Sequence, residues 1–245
     1  MINEAVRKPM EYSVTFETKC YEKDWEILLK TSRLEHALQY NNYPFEERIL
    51  YINNVIDLKE VCKYAERLVN QGILTSYIVV EDHSKQALDF FNIKKEEFRG
   101  GYYYSIQELV GIYLCKTPYL LHFSSDSILE HPLNWIKPSL QMLENNPKIK
   151  VANPVWNGLY NEAKNESFAE NENFYIGYGF SDQCYLIAVK DFKAQIYNEY
   201  NEASQRYPQY GGELFEKRVD AWMRNHCYFR VTYKFGSYIH KNFSL

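Results

Sequence analysis

The sequence predicts an α/β protein with a mostly parallel central sheet, helices on both faces, and a single domain. Three observations predict it. Short runs rich in β-branched and aromatic residues alternate with stretches of helical periodicity. Those runs are close to continuously apolar, as strands covered on both faces are. No internal repeat and no clean linker interrupts the 245 residues, a length that suits one large domain.

The elements follow in order. "YSVTFET" (12–18) reads as a strand, and "EKDWEILLKTSRLEHALQY" (22–40) as one helix with Trp25, Leu28, Leu29, Leu34, Ala37 and Leu38 on its apolar side. "RILYINNV" (48–55) is a second strand. "DLKEVCKYAERLVNQG" (57–72) is a strong helix, with Asp57 suited to the N-cap, a stripe of Val61, Tyr64, Ala65 and Leu68, and Gly72 at its end. "SYIVVED" (76–82) is a third strand. A polar link leads to a helix around 105–116 and to a fourth strand, "YLLHFSSD" (119–126). In the second half, 132–147 reads as a helix and "IKVANPVW" (149–156) as a strand. The polar, Asn- and Glu-rich residues 157–174 read as a surface loop or lid. Strand character returns at 178–189, a helix at 213–228 buries Phe215, Val219, Trp222 and Met223, and "FRVTYKFGSYIHKNF" closes with a strand and a tail.

Composition excludes several function classes. The net charge of −4 leaves no basic field for a nucleic-acid backbone. Glycine is scarce at 10 residues, and neither GxxxxGK[ST] nor GxGxxG occurs. Five cysteines are scattered without a CxxC pair, which reads as reduced thiols of a cytosolic protein and not as a zinc site. The N-terminal "MINEAVRKPMEYSVTFETK" has no apolar core of a signal peptide, and Lys116 and Pro118 break the longest apolar run. Peripheral association with the cytoplasmic face of a membrane stays compatible with this reading.

In parallel sheets ligands sit at the carboxyl ends of the strands. Those ends carry Thr18, Asn53, Asn54, Glu81, Asp82 and Asp126. A carboxylate there can ligate Mg²⁺ or Mn²⁺, which take oxygen ligands and fill their remaining positions with water and phosphate. Ser124 and Ser125 would add hydroxyl contacts. The plainer reading of Asp126 is a residue that caps the following turn.

The order "YSVTFET … RILYINN … YIVVEDHS … YLLHFSSDS" resembles the first half of a GT-A glycosyltransferase, nearest in style to glycosyltransferase family 2, with a Rossmann-like sheet. Several roles follow from that resemblance. The triplet Ser124-Ser125-Asp126 stands at the DxD position, with serine for the first acid and Asp126 kept as the metal ligand. Asp82, beside Glu81, takes the base-recognising place in "IVVEDHS", and Thr18 falls where the family contacts the nucleotide; Asn53, by its place at the end of the second strand, is a further candidate donor contact. "YGGELFEKRVDAWMRNHCYFRV" resembles the segment that carries the catalytic base, here reduced to Glu213 behind Gly211-Gly212. His240 in "SYIHK" falls where many such enzymes keep a ligand histidine.

The resemblance covers about residues 12–240 and implies a nucleotide-sugar half (about 12–130) and an acceptor half (about 131–245). It implies transfer from a nucleotide-diphosphate sugar to a glycan or lipid-linked acceptor with Mn²⁺ or Mg²⁺. A base on the acceptor favours inversion, and Asp182 in "GFSDQ" is a second base or an acceptor contact. Each residue also has an ordinary role: Glu213 as a first-turn acid at a helix N-terminus, Asp182 as a turn residue, His240 as a tail histidine. Arg218 and Arg224 read as phosphate contacts or as paired surface cations. Trp156 and Tyr178 read as sugar-stacking or core residues. Competing readings are a retaining transferase, a binding or scaffold domain with a degenerate site, and a nucleotidylyltransferase, which would need a Gly-rich basic loop that "TFETKCYEKDW" lacks.

Overall fold

A computed structural model describes residues 12–240. The N-terminal segment judged for a signal peptide, up to residue 11, and the end of the expected tail lie outside the described residues. The first four strands, β1 (Val14–Cys20), β2 (Glu47–Ile52), β3 (Ser76–Val79) and β4 (Tyr119–Phe123), form a parallel array in the order β3-β2-β1-β4. Between them lie α1 (Trp25–Lys30), α2 (Arg33–Tyr40), α3 (Leu58–Asn70), α4 (Glu81–Phe91), a 3₁₀ segment (Lys95–Tyr104) and α5 (Ile106–Leu114).

After β4 come β5 (Ser127–Leu129), α6 (Ile136–Asn145), β6 (Ile149–Trp156), α7 (Tyr160–Asn165), β7 (Ser167–Glu170), β8 (Phe174–Gly177), β9 (Cys184–Ala188), α8 (Val189–Phe192), α9 (Phe215–Asn225) and β10 (Phe229–His240). One ten-stranded sheet runs through both halves, continuing β4-β9-β6-β10-β8-β7, with β5 also paired to β10. The strands β9, β8 and β5 run against their neighbours, while β6 and β10 keep the direction of β4.

Side-chain alternation gives the sheet two buried faces. Val14, Phe16, Leu50, Leu121 and Leu186 pack under α1, α2, α3 and α6. Ile49, Tyr51, Leu120, Tyr185 and Ile187 pack under α4, α5, α8 and α9. The fold class predicted from the sequence is the one observed.

Three expectations are corrected. The 22–40 helix is two, because Thr31 turns extended and its hydroxyl donates to the Ile27 carbonyl at 2.5 Å, ending α1. The third strand stops at Val79, so Glu81 and Asp82 open a helix instead of ending a strand. The expected loop or lid over 157–174 contains α7 and most of a β-hairpin, because Phe168 packs on Tyr178 and Phe229 and β8 pairs with β10. By contrast α3 starts as expected, with the Asp57 carboxylate accepting from Glu60 N–H at 2.9 Å.

Gly111 on α5 faces the buried carboxyl of Glu17. A β-carbon there would lie 2.3 Å from Glu17 Oε2, and His122 and Gln107 already hem that carboxyl in. In a free helix Gly→Ala gains about 1 kcal/mol. Here Gly111→Ala should instead lower stability by about 1–3 kcal/mol, read as a lower urea midpoint; a rise would show that Glu17 moves aside.

Candidate active site

Parallel strands bring their carboxyl ends to one edge, and the site lies there. β9 enters this edge from the opposite direction. Its register sets Cys184 against Phe123, and Ser124 N–H donates to the Gln183 carbonyl at 2.9 Å. The residues just before β9 therefore sit beside those just after β4. The end of β10 joins them, with His240 paired to Ser127. Together these segments enclose a cleft of about 310 Å³, lined among others by Lys19, Tyr21, Asn53, Asn54, Tyr103, Tyr104, Ser124, Ser125, Asp126, Asp182, Gln183 and His240.

The turn after β4 closes through Ser127 N–H to the Ser124 carbonyl at 3.0 Å. Within it the Ser124 hydroxyl donates to Asp126 Oδ1 at 2.8 Å. The other oxygen, Asp126 Oδ2, lies 3.0 Å from His240 Nε2, across 114 residues of sequence. Burial alone would raise the Asp126 pKa, but the hydrogen bonds from His240 and Ser124 outweigh it and hold the carboxyl below its ordinary value. The same bond holds the His240 imidazole above its ordinary value. The pair is therefore a charge-assisted hydrogen bond in the lining of the cleft. Ser125 points the other way and donates to Asp24, which also accepts from Tyr21 N–H at 2.8 Å. Burial pushes Asp24 up to about 7 against these two bonds.

Behind the cleft lies a buried polar layer. Lys19 at the end of β1 is bonded to Glu108 of α5, whose side chain is fully buried. Burial disfavours the Lys19 charge, yet Glu108, Asp182 and Asp126 around it hold the ammonium above its ordinary value. Asp182 also lines a second hollow with Tyr104, Tyr210 and Glu216. Burial raises both acids; Asp126 adds to the rise of Asp182, and Asp182 and Glu108 add to that of Glu216, taking it up to about 9. At neutral pH Glu216 therefore keeps its proton and Asp182 has Lys19 as its nearest counter-charge. Deeper still, Glu17 lies 3.0 Å from His122 Nδ1, and burial pushes Glu17 up and His122 down. That contact is a neutral hydrogen bond, with His122 stacked on Tyr185 at 4.8 Å.

No family model matches the chain, and no curated protein matches it in sequence. Solved structures do match it in fold. The glucosyl-3-phosphoglycerate synthase of Mycobacterium tuberculosis, solved with Mn²⁺, uridine diphosphate and phosphoglyceric acid, aligns with a TM-score of 0.52 at 14% identity, over 96% of this chain and 72% of that one. GalNAc-T7, solved with UDP, GalNAc and Mn²⁺, aligns with a TM-score of 0.55 at 10% identity, over 94% of this chain and 44% of that one. The chain has the GT-A fold.

Within the GT-A fold, seven of the residues singled out in the sequence meet in the cleft: Asn53, Asn54, Ser124, Ser125, Asp126, Asp182 and His240. Asn53 is fixed there by its amide, which donates to the Tyr103 carbonyl at 2.8 Å. Three do not reach it. Thr18 is 2% exposed and shares the face of Val14 and Phe16, so alternation turns it away and turns its neighbour Lys19 toward α5. Asp82 stands exposed in the first turn of α4, and it is Glu81 that borders a side hollow with Asn53, Asn54 and Tyr103. Glu213 pairs with Lys217 at 2.8 Å on the outer side of α9. Gly212, at φ +65, backs onto the Glu97 carbonyl and aims the chain that way. Arg218 and Arg224 are both taken up, Arg218 by Glu97 at 2.6 Å and Arg224 by Asp220 at 2.8 Å.

Sequence reasoning missed Lys19, Asp24, Tyr103, Tyr104, Glu108, Gln183 and Glu216. Lys19 was legible from strand alternation, and Tyr103 and Tyr104 from "RGGYYY", an aromatic run after a flexible break. Glu216 lies one helical turn past Glu213 and needed the helix's orientation.

The donor set at the mouth fits a divalent cation. Among the described residues no group of three or more His, Cys, Asp and Glu side chains is placed to hold a metal. Asp126 and His240 offer one carboxylate oxygen and one imidazole nitrogen, and Mg²⁺ or Mn²⁺ takes its other positions from water and phosphate.

The Glu216 titration gives a testable sign. Its folded pKa, about 9, lies above the unfolded value of about 4.3. Its contribution to stability is fully present below about pH 4.3 and is lost as pH rises through about 9. Glu216→Gln mimics the protonated form. It should match the parent near pH 4 and exceed it in denaturant midpoint at pH 8, and equal midpoints at both pH values would refute the buried-acid assignment.

Proposed function

We propose that the chain is a glycosyltransferase that moves a sugar from a nucleotide-diphosphate sugar to a glycan or lipid-linked acceptor with inversion. The observation that carries it is the Asp126–His240 pair, set at the carboxyl-end edge of the sheet in the same cleft as Asp182. The neighbours of this fold support it, since they were solved with UDP and Mn²⁺.

The first half, about 12–130, takes the donor, and the second, about 131–245, the acceptor. Tyr21, Tyr103 and Tyr104 offer aromatic surface to the base, and Asn53 and Asn54 offer hydrogen bonds to the ribose. Lys19 gives the diphosphate a fixed positive charge. Asp126 and His240 would hold the divalent cation, which when bound stabilises the leaving diphosphate as a Lewis acid. Asp182 acts as general base. It takes the proton of the acceptor hydroxyl, whose oxygen bonds to the anomeric carbon on the face opposite the leaving group, while the bond to phosphate breaks and the nucleoside diphosphate keeps the electron pair. Burial raises the Asp182 pKa above its ordinary value, which makes it the stronger base. The protonated Glu216 beside it does not compete.

A second reading, nucleotide-sugar binding without transfer, is favoured by Ser124 at the first acid position of the triplet, and turnover separates the two. A panel of sugar nucleotides with Mn²⁺ should raise the melting temperature of the protein, and Asp126→Ala should remove that shift with the fold intact. Asp182→Asn should lower kcat about 10²–10⁴-fold and leave donor affinity unchanged. Glu213→Ala should keep full activity. Full activity in both Asp126→Ala and Asp182→Asn would overturn the proposal, and donor binding with no turnover on any acceptor would favour the second reading.

A further inference from the structure

Gln183 lines the cleft beside Asp126 and His240, and four hydrogen bonds close a ring through it. Ser124 N–H donates to the Gln183 backbone carbonyl at 2.9 Å, and the Ser124 hydroxyl donates to Asp126 Oδ1 at 2.8 Å. Asp126 Oδ2 lies 3.0 Å from His240 Nε2, and His240 Nδ1 lies 3.2 Å from the Gln183 side-chain amide. The backbone of Gln183 thus holds the turn that carries Asp126, and its side chain holds the histidine. Among the described residues His240 Nδ1 has no other hydrogen-bond partner.

The partner of one imidazole nitrogen sets the state of the other. Here the Gln183 amide nitrogen faces Nδ1 and donates to it. Nδ1 is then bare, and the ring proton sits on Nε2, where it points at Asp126. In that arrangement Nε2 has no lone pair to give. A cation taken at Nε2 needs the other tautomer: Nε2 releases its proton to water, Nδ1 takes one, and the ring stays neutral. The proton on Nδ1 then needs an acceptor.

A half-turn of the Gln183 amide supplies it. The amide oxygen now accepts from the Tyr238 hydroxyl at 3.4 Å, and Tyr238 is buried. A hydroxyl both donates and accepts, so the turned amide donates its N–H to that same hydroxyl and presents its oxygen to Nδ1. No buried group loses a partner in the exchange. Among side chains of this length only Gln offers a donor and an acceptor from one position: Met offers neither, Glu only accepts, and Lys only donates.

We propose that Gln183 is a positioning residue whose amide selects which nitrogen of His240 carries the proton, donating to Nδ1 while His240 is bonded to Asp126 and accepting from it when Nε2 takes Mn²⁺ or Mg²⁺. The inference rests on the cation site of the transferase reading and deepens it.

Mn²⁺ affinity in the presence of UDP, read by electron paramagnetic resonance on the full chain, tests it. Gln183→Met keeps the length and removes both hydrogen-bonding groups, and it should bind Mn²⁺ about 10–100-fold more weakly. Gln183→Glu keeps an acceptor for the Nδ1 proton and should bind at least as tightly as the parent. A loss caused by packing alone would appear in both variants. Unchanged affinity in Gln183→Met, or an equal loss in both variants, overturns the inference. Should Gln183→Met not fold, NMR on the unaltered chain still decides. Nuclear Overhauser contacts from the Gln183 amide protons should run to the His240 ring without a cation and to the Tyr238 ring with Mg²⁺ and UDP. Amide protons that stay on His240 in the loaded chain overturn the inference. The cation site is read separately. A parent chain that binds no Mn²⁺ refutes that site and the inference with it, whereas Mn²⁺ binding that is indifferent to residue 183 refutes the inference alone.

Discussion

The site depends on the antiparallel seating of β9 against β4. A strand that ran parallel there would bring its carboxyl end to the edge and leave Asp182 and Gln183 at the far side of the sheet. Because β9 runs the other way, its leading residues meet the turn that leaves β4, and the bond from Ser124 N–H to the Gln183 carbonyl fixes that meeting. β6 pairs antiparallel with β9, so β6 and its partner β10 regain the direction of β4, and His240 arrives at the same edge. Three segments far apart in sequence thus converge through backbone pairing alone.

The second constraint is electrostatic. Glu17, Glu108, Asp182 and Glu216 lie in one layer near Lys19, a concentration of acid that low-dielectric surroundings do not tolerate in ionised form. The structure resolves it by giving Lys19 to Glu108, by leaving Glu216 protonated, and by pairing Glu17 with a neutral His122. Asp182, which lines the cleft beside Asp126, keeps Lys19 as a counter-charge. The same layer explains why Gly111 has no side chain: α5 must approach the Glu17 carboxyl.

Much of the fold was legible. Continuous apolar strands alternating with helical stripes announce a parallel, doubly covered sheet, and α3 with its Asp57 cap follows from local chemistry. Errors fell where local chemistry competes with packing. Thr31 breaks a helix that hydrophobic spacing alone extends, and the polar composition of 157–174 concealed a hairpin that is ordered by pairing with β10 and by Phe168. At the site, Ser124, Asp126 and Asp182 were readable because each stands beside a strand end. Thr18 and Asp82 failed because one-residue parity and one turn of helix decide whether a side chain faces the cleft.

The sequence by itself determined the layers, the strand ends and the presence of an isolated acid, Asp126, after the fourth strand, because these follow from periodicity and residue type along a short stretch. Only the tertiary structure decided that Asp126 meets His240, that Lys19 and not Thr18 serves the cleft, and that Glu216 and not Glu213 stands beside Asp182. Those outcomes turn on strand direction, register and helix rotation, which are set by contacts between segments far apart in sequence, 114 residues for Asp126 and His240.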